Sequence, residues 1–226
     1  MLCIMNDIKV ISFDLWGTLF DDSDYIRELE EKRIKACIEI SKKYNLLQTD
    51  NWREIILNER RDFQKIERKG KCPDHKVRIK SILLKVNRNV NEDVVEELSS
   101  LFEEISLMYM PIVNQQLVTY IKELRRKLLP CIILSNTGLI SAEVIRKLLK
   151  RTNLYNLFDR IYLSEEIGIC KPSIDIFKIP IIEYSIFPHQ MLHIGDSDFF
   201  DIEAAQKVGC RTCLLYTSDA ADDLIG

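Results

Sequence analysis

Residues 10–20 read VISFDLWGTLF, and this short stretch decides how the fold is interpreted. An apolar run rich in β-branched residues is typical of a buried strand. The run ends on a single carboxylate, Asp14, and the chain breaks at once into Trp-Gly-Thr, which indicates a turn. A buried strand that carries one charged group to a turn predicts a chemical role for that group.

Beyond residue 111 the chain alternates between helical and strand patterns. Strands separated by helices of this length indicate a parallel sheet with helices on both faces. Within the helical segment 173–184 we expect a break at Pro180, because proline lacks the backbone N–H that a helix interior needs. The later strands are predicted in CIILSN (131–136), RIYLS (160–164), MLHIGD (191–196) and RTCLLY (211–216).

The segment 21–110 has a different character, with almost no strand signal and one glycine, Gly70. Its apolar residues recur at helical spacing and predict four amphipathic helices, the last capped by Asn91. Four such helices in a row are typical of a small bundle. The helices are expected at about 24–44, 50–68, 74–87 and 91–109. The predicted domains are therefore an α/β core of residues 1–20 and 111–216 and an inserted helical bundle of residues 21–110.

Composition limits the possible functions. With 46% hydrophobic residues among 226, the chain has enough apolar material for a core. The net charge of −3 argues against partners such as nucleic acid or a membrane surface. The start of the chain is a poor signal peptide, and seven scattered cysteines suggest reduced thiols, so we expect a cytoplasmic protein. The small, acidic residues 217–226 are expected to be a non-native extension that packs poorly.

Polar residues stand where the predicted strands end. Ligands of open parallel sheets bind at the carboxyl ends of the strands, so we expect these side chains to meet in one crevice. Any one of them alone would be unremarkable, but a set at successive strand ends is hard to obtain by chance. The residues are Asp14, Ser135 and Asn136, Lys171, Asp196 and Asp201.

The order of these motifs resembles the haloacid dehalogenase superfamily of hydrolases. Asp-x-x-Gly-Thr is followed by Ser-Asn, then Lys-Pro, then Gly-Asp-Ser-x-x-x-Asp. The resemblance covers residues 10–20 and about 112–216. It implies a Rossmann-like core with a doubly wound parallel sheet, and it identifies the helical segment as a cap inserted after the first motif.

The resemblance implies a phosphatase in which Asp14 is the nucleophile and forms an aspartyl phosphate. Attack on a phosphoryl group brings two anions together, and Mg²⁺ held by Asp14 and Asp196 would relieve their repulsion. In the family the residue at position 16 adds its backbone carbonyl to the metal, so the Trp16 carbonyl is a third expected ligand. Lys171 would supply further positive charge, and Asp201 would steady Lys171 or a metal-bound water.

The remaining expected substrate ligands are hydrogen-bonding groups. Together with Lys171, the side chains of Thr18, Ser135 and Asn136 would bind a small phosphorylated metabolite. Each also has a structural interpretation: Ser135 simply ends a strand, Asn136 caps a turn and Thr18 belongs to a turn. Asp201 has one too, as the N-cap of a helix that starts at residue 202.

Trp16 departs from the family pattern. Most phosphatases of the superfamily carry an acid/base aspartate at this position, and an indole has no useful proton-transfer pKa. Three interpretations stay open. The chain is a phosphatase that finds its proton elsewhere or uses good leaving groups, a 2-haloacid dehalogenase-like enzyme, or a weakly active or inactive phospholigand-binding protein. Haloacid dehalogenases carry an aromatic residue at this position but work without metal, whereas the acidic residues after the fourth strand suit a cation.

Overall fold

The structure is a computed structural model and describes residues 7–215. Five parallel strands form its main sheet, in the spatial order β5-β4-β1-β6-β7, so the first strand is central. This confirms the predicted α/β fold with a parallel sheet. The strands of this sheet are β1 (Val10–Phe13), β4 (Cys131–Ser135), β5 (Arg160–Leu163), β6 (Met191–Gly195) and β7 (Arg211–Leu214).

Helices cover both faces of the sheet. Alternate residues of its central strands point to opposite faces, so each strand contributes apolar side chains to both. Ile11 and Ile133 pack in an apolar cluster with residues of α5 (Gln115–Arg126) and α6 (Ala142–Arg151). Val10 and Ile132 pack in a second cluster with residues of α8 (Ile174–Glu183) and α9 (Ala204–Val208). All residues of β1 and β4 are buried, which explains their continuous apolar sequence. A short helix, α7 (Ser164–Ile167), follows β5.

Helix α8 corrects one expectation, because it continues through Pro180 rather than breaking there. Its apolar residues Ile176, Phe177 and Ile181 lie on both sides of the proline and are buried against the sheet. Burial of three such side chains contributes about 1.5–3 kcal/mol each, which offsets the hydrogen bond that proline cannot donate.

The inserted bundle lies between two short strands, β2 (Phe20–Asp21) and β3 (Ile112–Val113), which pair with each other antiparallel. Its four helices agree with the predicted ranges to within a few residues. As predicted, the Asn91 side chain caps the last helix by accepting a hydrogen bond from the N–H of Asp93. The helices are α1 (Ser23–Lys43), α2 (Trp52–Glu67), α3 (His75–Leu84) and α4 (Glu92–Met108).

The bundle is hydrogen-bonded to the loop that carries Lys171. The N–H of Cys170 donates to the carbonyl of Gly70 at 3.2 Å, and Lys71 and Ile169 form an isolated antiparallel bridge. We call residues 70–71 and 169–170 together the bundle–loop bridge. It connects the end of the second bundle helix directly to the sheet domain.

None of the helices in residues 7–215 is both long and apolar enough to cross a membrane. Residues 217–226, predicted to be a non-native extension, lie outside the described residues.

Candidate active site

The central strands bring the first and last motifs together. β1 and β6 are neighbours in the sheet, with Phe13 opposite Ile194. The N–H of Asp14 donates to the Ile194 carbonyl at 2.8 Å. Asp14 therefore begins the turn after β1 directly beside the end of β6, where Asp196 follows.

Lys171 lies buried between two carboxylates. Its Nζ donates to Asp14 Oδ1 at 2.6 Å and to Asp201 Oδ1 at 2.5 Å, and the side chain is 2% exposed. A lysine in this position is held in place by both partners and shielded from water. The structure thus brings together three of the residues singled out in the sequence.

Asp201 accepts two further hydrogen bonds. His193 Nε2 lies 3.0 Å from Asp201 Oδ1, and the N–H of Ser197 donates to Oδ2 at 3.1 Å. The other ring nitrogen, His193 Nδ1, lies 2.8 Å from the Ser12 hydroxyl. A neutral ring with its hydrogen on Nε2 satisfies both contacts, because it donates to the carboxylate and accepts from the hydroxyl.

These contacts also correct the N-cap alternative for Asp201. The residue lies inside a π-helical turn, Asp198–Glu203, whose N-cap is Ser197. The turn directs the Asp201 carboxylate back beneath Gly195, where a Cβ would lie 2.3 Å from Asp201 Cγ. Sequence reasoning treated His193 as an ordinary core residue. Its buried position on β6 was readable from the strand pattern, but its contact with Asp201 depends on this turn.

Asp196 packs against the backbone of the first turn. A Cβ at Gly17 would lie 2.3 Å from Asp196 Oδ2, and Gly17 has a positive φ of 74°. Glycine at this position therefore allows both the turn and the approach of the carboxylate. The Thr18 hydroxyl contacts Asp196 Oδ1 at 3.4 Å. Carboxylate oxygens of Asp14, Asp196 and Asp201 lie within 4.8 Å of one another.

The carboxylates have different electrostatic environments. Burial raises the pKa of Asp14 to about 7, since the attraction of Lys171 only partly offsets desolvation. Burial and the charge of Asp201 raise the pKa of Asp196 to about 6. Burial also acts on Asp201, but Lys171 and His193 outweigh it and hold the pKa of Asp201 well below its usual range. Burial opposes the charge of Lys171 as well, yet Asp14 and Asp201 outweigh it and raise the pKa of Lys171.

This arrangement fits a divalent cation. Asp14 and Asp196 carry negative charge that their protein surroundings leave poorly compensated, and oxygen donors are the ligands that Mg²⁺ prefers. Asp201 is already engaged by three hydrogen-bond donors. Asp14 and Asp196 are therefore the two side chains of the cluster that fit a cation, and their role as its ligands stays a prediction.

Asn136 positions the loop that carries Lys171. Its side-chain Oδ1 accepts from the N–H of Lys171 at 2.9 Å, and its Nδ2 donates to the Lys171 carbonyl at 3.0 Å. The same Nδ2 contacts Glu67 Oε1 at 3.3 Å, so the bundle reaches this group. Ser135 is fully buried, and its hydroxyl donates to the Asn136 carbonyl at 3.2 Å.

Trp16 joins an aromatic cluster at the boundary of the bundle. Its ring stacks on Tyr25 with centroids 5.7 Å apart and contacts Phe20 at 5.5 Å. It also lines a cavity of about 250 Å³ between the bundle and the loop after β4. Trp16 therefore forms one wall of this small cavity, which we call the chamber. Residues that line the chamber from the bundle include Leu29, Arg33, Ile56, Arg60 and Glu67, and those from the loop include Asn136, Thr137 and Leu139.

Two curated proteins are similar to this chain in sequence. A curated relative from Xenopus laevis, haloacid dehalogenase-like hydrolase domain-containing protein 3, is 32% identical over 88 residues, which are 36% of this chain and 36% of that protein. The glyceraldehyde 3-phosphate phosphatase of Methanopyrus kandleri is 24% identical over 207 residues, which cover 91% of this chain and 82% of that protein.

Solved structures share the fold. A 2-haloacid dehalogenase from Pseudomonas syringae superposes with a TM-score of 0.68 at 18% identity, covering 92% of this chain and 86% of that one. The HAD-hydrolase YfnB from Bacillus subtilis, bound to magnesium, gives a TM-score of 0.63 at 18% identity and covers 92% and 88%. At this identity the likeness concerns the fold.

A family model for haloacid dehalogenase-like hydrolases matches residues 8–209. The match includes β1, the inserted bundle and the loops that carry Lys171 and Asp196. The chain belongs to the haloacid dehalogenase-like hydrolase family.

Proposed function

We propose that the protein is a Mg²⁺-dependent phosphatase that acts on a small phosphorylated metabolite. The observation that carries this proposal is the convergence of three carboxylates and one buried lysine at the end of β1. The phosphatase from Methanopyrus kandleri, which aligns over most of this chain, supports the same reaction class.

Asp14 attacks the phosphorus and forms an aspartyl phosphate, while the leaving-group oxygen departs on the opposite side. Lys171 is placed to neutralise charge on the phosphoryl oxygens, and Asp201 and Asn136 hold it there. Asp14, Asp196 and the Trp16 carbonyl would hold Mg²⁺, whose positive charge would reduce the repulsion between the nucleophile and the phosphoryl group. Thr18, in the turn after β1, and Ser135, the last residue of β4, complete the proposed phosphoryl site.

The proton for the leaving group must come from a residue other than Trp16. Glu67 lines the same chamber as Trp16 and is 9% exposed. Burial raises its pKa, so a protonated carboxyl group is available nearer to neutral pH than in water. We assign Glu67 the roles of proton donor and, once deprotonated, of base for the water that hydrolyses the aspartyl phosphate.

The bundle of residues 21–110 would then act as a cap over the core of residues 1–20 and 111–216. It supplies Glu67 and most of the chamber wall. Closure would exclude water from the aspartyl phosphate, and opening would admit substrate.

Hydrolysis of p-nitrophenyl phosphate tests the proposal. We expect activity with Mg²⁺, none with EDTA, and none in Asp14→Asn. Asp198→Asn is the matched control, because Asp198 is exposed in the same loop but stands outside the carboxylate cluster. Activity that survives in Asp14→Asn would refute the assignment of the nucleophile.

One observation favours a dehalogenase as the second candidate: the aromatic residue at position 16, in a chain whose fold matches a 2-haloacid dehalogenase. A halide leaving group needs no proton, so the absence of an acid at position 16 would not slow that reaction. Chloride release from 2-chloropropionate in the presence of EDTA would support that reaction. Neither activity, with Mg²⁺ binding intact, would instead indicate a phospholigand-binding protein.

A further inference from the structure

Arg33 is a buried cation with which no carboxylate in residues 7–215 forms an ion pair. It lies on α1, is 9% exposed and lines the chamber beside Trp16. Its Nη2 donates to the Ser106 hydroxyl at 3.1 Å and to the Leu139 carbonyl at 3.4 Å. Its Nε has no hydrogen-bond partner among the described residues, and none of their carboxylates forms an ion pair with it.

The surroundings increase the cost of this charge. Burial lowers the pKa of Arg33 to about 10, and the neighbouring guanidinium groups of Arg78 and Arg60 act in the same direction. Arg78 differs from Arg33, because Glu59 binds it at 2.8 and 2.9 Å. Taking an ion out of water costs several kcal/mol unless a counterion compensates it. A negatively charged ligand in the chamber would supply the missing compensation.

The acids of the chamber do not supply the missing counterion. Glu30 binds Arg53 at 2.5 Å, and Glu67 contacts Asn136. The third acid, Asp22, has a pKa raised by burial, which favours its neutral form. None of the three makes an ion pair with Arg33.

We infer that Arg33 binds an oxyanion on the non-reacting end of the substrate, a carboxylate or a second phosphate. The inference rests on the proposed function, since it places the reacting phosphoryl group at Asp14 and the second anion in the chamber. A guanidinium recognises both kinds of oxyanion, and the contact is strong where water is excluded. The chamber is smaller than the roughly 300–1,000 Å³ typical of drug-sized ligands, so the connecting group is short. Its apolar lining suits a carbon stem between the two anions.

Binding measurements test the inference on Arg33, and turnover measurements test the proposed function. Binding is measured by calorimetry in Asp14→Asn with Mg²⁺, so that no turnover occurs. The probes are phosphoglycolate, a bisphosphate of a short polyol, and 2-hydroxyethyl phosphate, which has no second oxyanion. We expect the carboxylate or the bisphosphate probe to bind about 10- to 100-fold more tightly than the hydroxyl probe. The preferred probe identifies the oxyanion.

Introducing Arg33→Gln into the same background is expected to abolish that preference and leave the hydroxyl probe unchanged, and Arg33→Lys is expected to restore part of it. Arg27→Gln is the matched control, because Arg27 is exposed on the same helix and pairs with Asp24. Equal affinities for all three probes, or a preference that survives in Arg33→Gln, would overturn the inference. Hydrolysis of p-nitrophenyl phosphate by the wild type reports the proposed function alone, because this ester has no second oxyanion.

Protein stability provides a second readout for Arg33→Gln. If Arg33 only supported the bundle, its loss would lower the melting temperature. No described carboxylate pairs with this charge, and the Phe102 ring, 5.1 Å from the guanidinium, compensates it only in part. We therefore expect the variant to melt near or above the wild-type temperature while the probe preference disappears. A lowered melting temperature together with an unchanged preference would assign Arg33 a structural role instead.

Discussion

Glu67→Gln is expected to slow the first step, release of the alcohol or phenol in a single turnover, far more for an alkyl phosphate than for p-nitrophenyl phosphate. An alkoxide leaving group needs a proton, whereas p-nitrophenolate leaves without one. Loss of a general acid typically costs about 10²- to 10⁴-fold in rate, and we expect a loss in this range for the alkyl ester. For the aryl ester the expected change in this first step is about threefold or less, since nucleophile, lysine and metal ligands are intact. The later hydrolysis of the aspartyl phosphate, for which Glu67 is the proposed base, should slow equally for both esters.

The structure predicts that this variant keeps its fold. Glu67 has one side-chain hydrogen bond with a described residue, accepted from Asn136 at 3.3 Å, and glutamine retains the accepting carbonyl oxygen. The stability change should stay within about 1 kcal/mol, or about 2–4 °C in melting temperature for a chain of this size. Equal rate losses on both esters in the first step would refute proton donation and would mean that Glu67 acts in that step only by positioning Asn136 and Lys171.

Trp16→Asp in the Glu67→Gln background provides a rescue test. Aspartate restores a carboxyl group at the family's usual acid position, so we expect alkyl phosphatase activity to recover by at least about tenfold. The exchange removes a half-buried indole that stacks on Tyr25, at a cost of about 3 kcal/mol and about 6–12 °C in melting temperature. Trp16→Asn removes the same packing without adding an acid, and should melt similarly without any recovery. Equal rates for the two double variants would show that position 16 cannot transfer a proton in this site.

Three further predictions concern the metal site and the bundle. Mg²⁺ at about a hundredfold excess over its Kd should stabilise the protein by about 2.7 kcal/mol above pH 7. This stabilisation should decline as the pH falls through about 7 and then about 6, because protons on Asp14 and Asp196 compete with the ion. A shift in melting temperature that does not depend on pH would exclude these two residues as ligands. Gly17→Ala should weaken Mg²⁺ binding about tenfold or more in calorimetry, since the new Cβ would collide with Asp196. Arg78→Met should lower stability by about 3–5 kcal/mol in thermal denaturation because it leaves Glu59 buried and unpaired, and adding Glu59→Leu should recover most of that loss.

The sequence predicted the sheet and the bundle because each depends on local patterns. Fully apolar runs indicated the central strands, and helical spacing indicated the four inserted helices, with Asn91 as a cap. The break in the helix at Pro180 was predicted wrongly, since burial of the flanking apolar residues outweighs one missing hydrogen bond. That competition is decided by the sheet beneath the helix, which no local window contains.

The candidate site could be predicted because parallel strands bring their last residues to one edge of the sheet. No such rule about strand ends applies to the residues that sequence reasoning missed. Arg33 looks like a surface charge in a helix, and its burial depends on contacts with Ser106 and Leu139, far away in the chain. The hydrogen bond of the Glu67 side chain likewise depends on the contact between the bundle and Asn136.

The bundle–loop bridge has a thermodynamic consequence. Any motion that lifts the bundle from the sheet must break the hydrogen bond between Cys170 and Gly70, and Lys171 is the next residue along the chain. If the bundle opens and closes as proposed, the position of the ammonium group and the closure of the chamber would be linked equilibria, and by reciprocity a ligand that orders one would favour the other. An open enzyme would hold its lysine less firmly, so full electrostatic assistance would be reserved for molecules that the bundle has already enclosed.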